Sequence, residues 1–252
     1  MKFKVLHSLL VIDIETAPAY ADFETMDKDW QELWSEKVLK ANPDANVIEQ
    51  YRLRSGTKAE FAKIVCIGIG YVDEGNNMFS IRSFYGNNET SILYEFLQEL
   101  KGIFVQKKTI KFAGHNIREF DLPFICRRLL VNGMTIPSYL DFQNKKPWEI
   151  NVVDTFQWWR FGDYKNYTSL KLLAKVMGVK GSKNDIDGSM VAPLYWEKNP
   201  VVQKLNLHNI AHYCCMDVLT TTNVIRRFMG SPSLDENLVL IIHSLCNEDI
   251  SE

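Results

Sequence analysis

The sequence predicts an α/β fold, a sheet with helices on both of its faces, and two observations carry that reading. Short unbroken runs of branched apolar residues read as buried strands, and between them lie stretches whose apolar residues recur at helical spacing. Three strands come first, after which helices and strands alternate. That order is compatible with several α/β folds.

The first strand is the run Leu-Leu-Val-Ile at residues 9–12, bounded by Asp13, and residues 64–71 form a second run of the same kind. Residues 78–85 alternate well enough for a third strand, 110–113 form a fourth, and 150–153 a fifth that ends at Asp154. A helix over 90–105 places Ile92, Leu93, Phe96, Leu97 and Leu100 on one face. A second opens near Pro123 and runs to about residue 130, and a third over 170–177 stops at Gly178. The last long helix spans about 207–229 and is closed by Gly230 and Pro232.

Residues 19–62 separate the first two strands by far more than a hairpin needs. Trp30, Leu33, Trp34 and Val38 fall there at helical spacing. They fit a helical insertion that packs its tryptophans on the body of the domain, or a lid or substrate wall. The expectation is one domain over residues 1–252, with a short tail after about 230 that carries no catalytic residue.

A net charge of −2 over 252 residues argues against nucleic-acid binding by bulk electrostatics, so any such contact must be local and helped by bound metal. Cys66, Cys126, Cys214, Cys215 and Cys246 are odd in number and show no CxxC spacing, which predicts free thiols in a reducing cytoplasm. No apolar run approaches the roughly 20 residues of a membrane span, so no membrane partner is expected.

Three acidic elements stand out. In Asp13-Ile14-Glu15 the carboxylates lie two apart at a strand end and point to one face. Like charges converging there are costly unless a divalent cation lies between them. Asp121, in Asn116-Ile-Arg-Glu-Phe120-Asp121-Leu-Pro123, sits at or near the start of a helix, where capping alone also explains an aspartate. In Tyr213-Cys-Cys-Met-Asp217 the phenol and the carboxylate are four apart and share a helical face, as amphipathic decoration would too.

Taken together and in this order, the three elements resemble the motifs of the DEDD superfamily of 3′-to-5′ exonucleases, in its tyrosine-bearing (DEDDy) subgroup. Asp13-Ile-Glu15-Thr16 matches the first motif, His115-Asn116 with Phe120-Asp121-Leu-Pro123 the second, and Tyr213-Cys-x-x-Asp217-Val218 the third. The resemblance covers about residues 8–228 and is strongest to the proofreading domain of family-B DNA polymerases; the long insertion after the first motif is a departure. It implies a ribonuclease H-like mixed five-stranded sheet. It also implies two divalent cations, Mg2+ or Mn2+, with Asp13 on both, Glu15 and Asp217 on the first, and Asp121 reaching the second through water. Tyr213 would orient the attacking water. Thr16 and Ala17 would face the terminal nucleotide, and Asn116 and Phe120 would contact the strand. The implied substrate is the 3′ end of single-stranded nucleic acid, DNA in preference, released as nucleoside 5′-monophosphates. An exoribonuclease of the ribonuclease D type is the alternative, and a non-catalytic nucleic-acid-binding module on the same fold would have signalled itself by a lost carboxylate.

Other groups carry less. Lys165, Lys171, Lys175, Lys180 and Lys183 make residues 164–184 the most basic stretch, either a solvated face or a phosphate track. Trp148, Trp158, Trp159 and Phe161 precede it and read as core or as stacking faces. Zinc on His212, Cys214 and Cys215 is not expected, because adjacent helical cysteines point apart and no second ligand pair accompanies them. Gly68-Ile-Gly70 lacks the rest of a dinucleotide-binding motif, and Asp185 and Asp187 read as turn residues.

Overall fold

The computed structural model describes residues 6–107, 109–181 and 186–246. A mixed six-stranded sheet forms its centre. The strands are β1 (Leu9–Pro18), β2 (Ala62–Asp73), β3 (Met78–Tyr85), β4 (Lys111–Gly114), β5 (Val153–Asp154) and β6 (Val239–Leu245), in spatial order β5-β4-β1-β2-β3-β6. β2 runs antiparallel to β1 and β3, while β4 is parallel to β1 and to β5. The helices are α1 (Lys28–Ala41), α2 (Val47–Arg54), α3 (Glu89–Gln106), α4 (Asp121–Val131), α5 (Thr155–Arg160), α6 (Leu170–Val176), α7 (Val191–Tyr195) and α8 (Pro200–Phe228). This is the ribonuclease H-like α/β sheet the sequence predicts, with one strand more than the five expected.

The sixth strand corrects the expectation of a short tail. Residues after 230 turn back and pair in parallel with β3, from Phe79↔Val239 to Tyr85↔Leu245. Its unbroken apolar run, Leu238-Val-Leu-Ile-Ile242, carries the same strand signal as β1, although on the sheet edge no residue of β6 is buried. The last helix also begins two turns earlier than expected. Asn199 caps it by accepting the N–H groups of Val201 and Val202, and Pro200 occupies the first turn.

Alternation along β1 sorts its side chains between two layers. Leu10, Ile12 and Ile14 face a core built with Ile92, Phe96 and Leu100 of α3 and Leu122, Ile125 and Leu129 of α4. Leu9 and Val11 face the opposite layer, where Cys215, Val218 and Ile225 of α8 pack. Asp13 and Glu15 continue that second register, so the period of two delivers both carboxylates to the α8 side. Two glycines of β2 bring the helix close: a Cβ on Gly68 would stand 2.8 Å from the Cys214 sulfur, and one on Gly70 would stand 2.7 Å from Val218. Close backbone approach is the reason for Gly68-Ile-Gly70.

The insertion at 19–62 folds around its own small core. Trp34 is buried against Tyr51 and Phe61, with ring centroids 5.4 and 5.0 Å away, and its indole N–H donates to the Val47 carbonyl at 3.1 Å. Trp30 is half exposed and meets Phe61 edge-on. Trp34→Ala is therefore expected to destabilise the protein by about 3–5 kcal/mol. Chemical denaturation measures the loss, and substrate affinity per folded molecule should not change. A weakened affinity with unchanged stability would restore the reading of this segment as a substrate wall.

Candidate active site

The three acidic elements, far apart in sequence, meet in one cavity of about 600 Å³. Asp13, Glu15, Asp121, Tyr213 and Asp217 all line it, with Asn116 and Phe120 beside them. Ligand atoms of Asp13, Glu15 and Cys214 lie within 4.8 Å of one another. The Cys214 thiol stands 3.5 Å from both the carbonyl and the carboxylate of Asp13, so α8 is clasped to β1 at the first motif.

Asp121 is joined to β1 directly. The β4 ladder on β1 ends at Val11↔Ala113, and the Asp121 carboxylate takes up the strand further on by accepting the Ile14 N–H at 3.1 Å. A cap would have satisfied its own helix only. Here the aspartate spans 107 positions in sequence to hold the second motif against the first.

Burial raises the proton affinity of the whole group. Desolvation, followed by the charges of Glu15, Asp121 and Asp217, lifts Asp13 well above the ordinary carboxylate range. Glu15 is raised likewise by burial and by Asp217 and Asp121. Burial pushes Asp121 up to about 7, against hydrogen bonds that hold it down. Asp217 rises to about 6, moderated by the hydrogen bond it receives from Tyr213. The Tyr213 phenol, buried and facing Asp217, Glu15 and Asp13, is driven far above its usual value and stays a donor.

These shifts predict an inverted pH dependence of stability in chelator. The folded carboxyls bind protons that the unfolded chain has already released between about pH 4 and 7, so stability falls as pH rises through that window. Asp121→Asn should accordingly raise Tm more at pH 8 than at pH 5.5, where the native carboxyl is itself largely protonated. An equal gain at both pH values would mean that Asp121 is not held protonated by burial.

Asp154, at the end of β5, organises the approach to the cavity. Its buried carboxylate accepts the N–H groups of Asn116, Arg118, Phe156 and Gln157 at 2.9–3.3 Å. This holds Asn116 in a left-handed conformation, φ 60°, which asparagine tolerates. The buried Asn116 side-chain oxygen has no hydrogen-bond partner among the described residues. His115, kept neutral by burial, donates from Nε2 to the Thr168 carbonyl at 2.9 Å while Nδ1 meets the Thr155 hydroxyl, also at 2.9 Å. It ties the second motif to residues 167–171, from which Tyr167 and Lys171 reach the cavity.

Thr16 and Ala17, expected to face the terminal nucleotide, follow directly on Glu15 and do not line this cavity. A register shift between Glu15 and Thr16 turns the strand, Thr16 donates its hydroxyl to the Gly56 carbonyl at 2.6 Å, and Ala17 is fully buried with Val65, Tyr195 and Leu207. Of the insertion only Thr57 lines the cavity. Among the lysines, Lys171 is at the cavity, Lys180 pairs with Glu236, and Lys183 lies outside the described residues, as does Asp185. Asp187 caps a short turn through Ser189. Trp158 packs on Phe228 and Trp159 beside Val224, whereas Trp148 and Phe161 are exposed. The sequence reading gave no role to Cys214, His115 or Asp154 in assembling this site, although His115 stood in the motif and Asp154 at a strand end.

The fold is similar to that of part of a family B DNA polymerase. It superposes on the family B DNA polymerase from the hyperthermophilic archaeon Pyrobaculum calidifontis with a TM-score of 0.54 and 13% identity, over 88% of this chain and 24% of that one. This chain thus corresponds to about a quarter of that polymerase. Residues 56–237, more than half of the chain, match the family described as predicted 3′-5′ exonuclease related to the exonuclease domain of PolB. The chain belongs to that family, and it is by class a nuclease acting on nucleic acid. The matched region contains Asp121, Tyr213 and Asp217 and begins after the Asp13/Glu15 pair. No curated protein matches the chain.

Proposed function

We propose that the chain hydrolyses single-stranded nucleic acid, DNA in preference to RNA, from the 3′ end by a two-metal-ion mechanism that releases nucleoside 5′-monophosphates. The observation that carries the reading is the convergence of four carboxylates and one tyrosine, from three distant segments, on a single cavity. Such a donor set is all hard oxygen, and its raised proton affinities mark it as electrostatically incomplete, which suits Mg2+ or Mn2+. Asp13, Glu15 and Asp217 would hold one ion, with Asp13 shared and Asp121 assisting at the second. When bound, such ions neutralise charge on the scissile phosphate and activate water.

The remaining chemistry belongs to this chain's own side chains. Tyr213, a donor at every pH of interest, orients the attacking water and does not accept its proton. The unpartnered Asn116 oxygen offers an acceptor to the terminal nucleotide, and Phe120 offers a ring face. Lys171 supplies a cation at the cavity for the phosphate chain. Beyond it, Phe161, Tyr164 and Tyr167 are 84%, 72% and 68% exposed, and Arg160 lies over the Tyr164 ring at 5.5 Å. Exposed rings interleaved with cations suit unpaired bases, which supports a single-stranded substrate.

The test uses 5′-labelled single-stranded DNA and RNA of equal sequence, incubated with Mg2+, Mn2+ or chelator and resolved as ladders. A ladder shortening one nucleotide at a time from the 3′ end, faster on DNA and absent in chelator, is expected. Internal cuts, or hydrolysis in chelator, would refute the mechanism, and a faster RNA ladder would reverse the substrate preference.

A further inference from the structure

Three of the five histidines meet where α8 passes the edge of the sheet. His208 and His212 stand one turn apart on α8, and His243 comes from β6. The His243 ring centroid is 4.8 Å from that of His208 and 5.9 Å from that of His212. Two imidazoles bound through nitrogen to one tetrahedral zinc, at about 2.0–2.1 Å each, place their ring centroids about 5 Å apart. The observed spacings bracket that value.

Hydroxyls of β3 hold two of the rings by the same atom. Ser83 Oγ is 2.7 Å from His243 Nδ1, and the Tyr85 hydroxyl is 3.4 Å from His208 Nδ1. At His243 this engagement of Nδ1 leaves Nε2 for a ligand bond and orients the ring, which is the arrangement in which histidine ligands are held by outer partners. Burial, with the neighbouring His208 and His212 adding to it, pushes His243 down to about 4, so its nitrogen competes with no proton at neutral pH. The nitrogens are not yet gathered at ligand spacing: among the described residues only the group around Asp13 is. His208 is exposed and His212 partly so, and gathering their nitrogens with that of His243 takes a rotation of both side chains, in which His208 gives up its 3.4 Å contact with the Tyr85 hydroxyl.

We propose that His208, His212 and His243 form a binding site for a divalent cation of the zinc class, separate from the carboxylate cavity. Imidazole nitrogen selects zinc and its late first-row neighbours over Mg2+ and Mn2+, so the two sites differ in the ions they take. Three protein ligands leave the fourth position to water. The bound ion would cross-link β6, which among the described residues pairs with β3, to the helix that carries Tyr213 and Asp217.

The test is titration of Zn2+, followed by calorimetry, and of Co2+, followed by its visible absorption, into the Asp13→Asn/Asp217→Asn double variant with excess Mg2+ present. One equivalent of either ion should bind, and Zn2+ should raise Tm. Adding His208→Gln or His243→Gln should weaken binding at least about 10-fold and abolish the Tm shift. His208 is exposed, so its variant is informative even if His243→Gln fails to fold. Affinity unchanged in His208→Gln, or no binding once the acids are removed, would overturn the site. Neither result depends on nuclease activity.

Discussion

Asp13→Asn is expected to lower hydrolysis by at least about 10³-fold, since it removes several kcal/mol of transition-state stabilisation at the residue proposed to serve both cations. The substitution keeps the shape of the side chain and its contact with the Cys214 thiol. It also removes a charge that burial and three neighbouring carboxylates make costly. The folded-state pKa of Asp13 is raised, so its ionised form destabilises the metal-free protein at neutral pH, and the asparagine variant should melt higher than the native chain in chelator. Inactivity with raised stability separates a chemical defect from a folding defect. Retention of more than a few per cent of the native rate in Mg2+ would sink the two-ion assignment.

The second large effect divides the two residues that share a face of α8. Asp217→Asn should approach complete loss of activity and weaken metal binding, because a proposed charged ligand is gone. Tyr213→Phe keeps the ring and removes one hydroxyl, and orienting groups of this kind contribute about 10²- to 10⁴-fold. The phenylalanine variant should thus retain measurable activity with near-native dependence on metal concentration. The pH profile adds a sign. The Tyr213 hydrogen bond holds Asp217 down, so its loss should move the acidic limb of the profile to higher pH without abolishing it. A Tyr213→Phe variant with full activity, or one whose acidic limb vanishes, would show that the hydroxyl does not orient the water.

Much of this was legible in the residue order. Central strands announce themselves as unbroken apolar runs, which is why β1 and β2 were placed from sequence, and β3 was placed by its alternation. The carboxylates were readable as well, since a strand period of two and a helix period of nearly four decide which side chains look the same way. The errors fall where burial is one-sided or absent. β6 lies on an edge with no buried residue despite its apolar run, and the apolar residues of the first turns of α8, Val201, Val202 and Leu205, are exposed, so that the Asn199-Pro200 cap marks its start. Trp34 turned out to anchor a local core, a matter of which surface an amphipathic helix finds and not of its own period.

Local chemistry, then, specifies the elements and the identity of the acids, because propensity, periodicity and capping act over a few residues. Which of those acids share a cavity is decided by contacts over much longer separations. Asp121 reaches Ile14 across 107 positions, Cys214 reaches Asp13 across 201, and Gly68 lets α8 settle close enough for the second of these contacts. The same holds for the contacts of Thr16 with Gly56 and of Ala17 with Val65, which follow a register shift in β1. It holds again for the histidines: His208 and His212 are one turn apart in any helix, but His243 joins them only because β6 pairs with β3 and is thereby carried alongside α8.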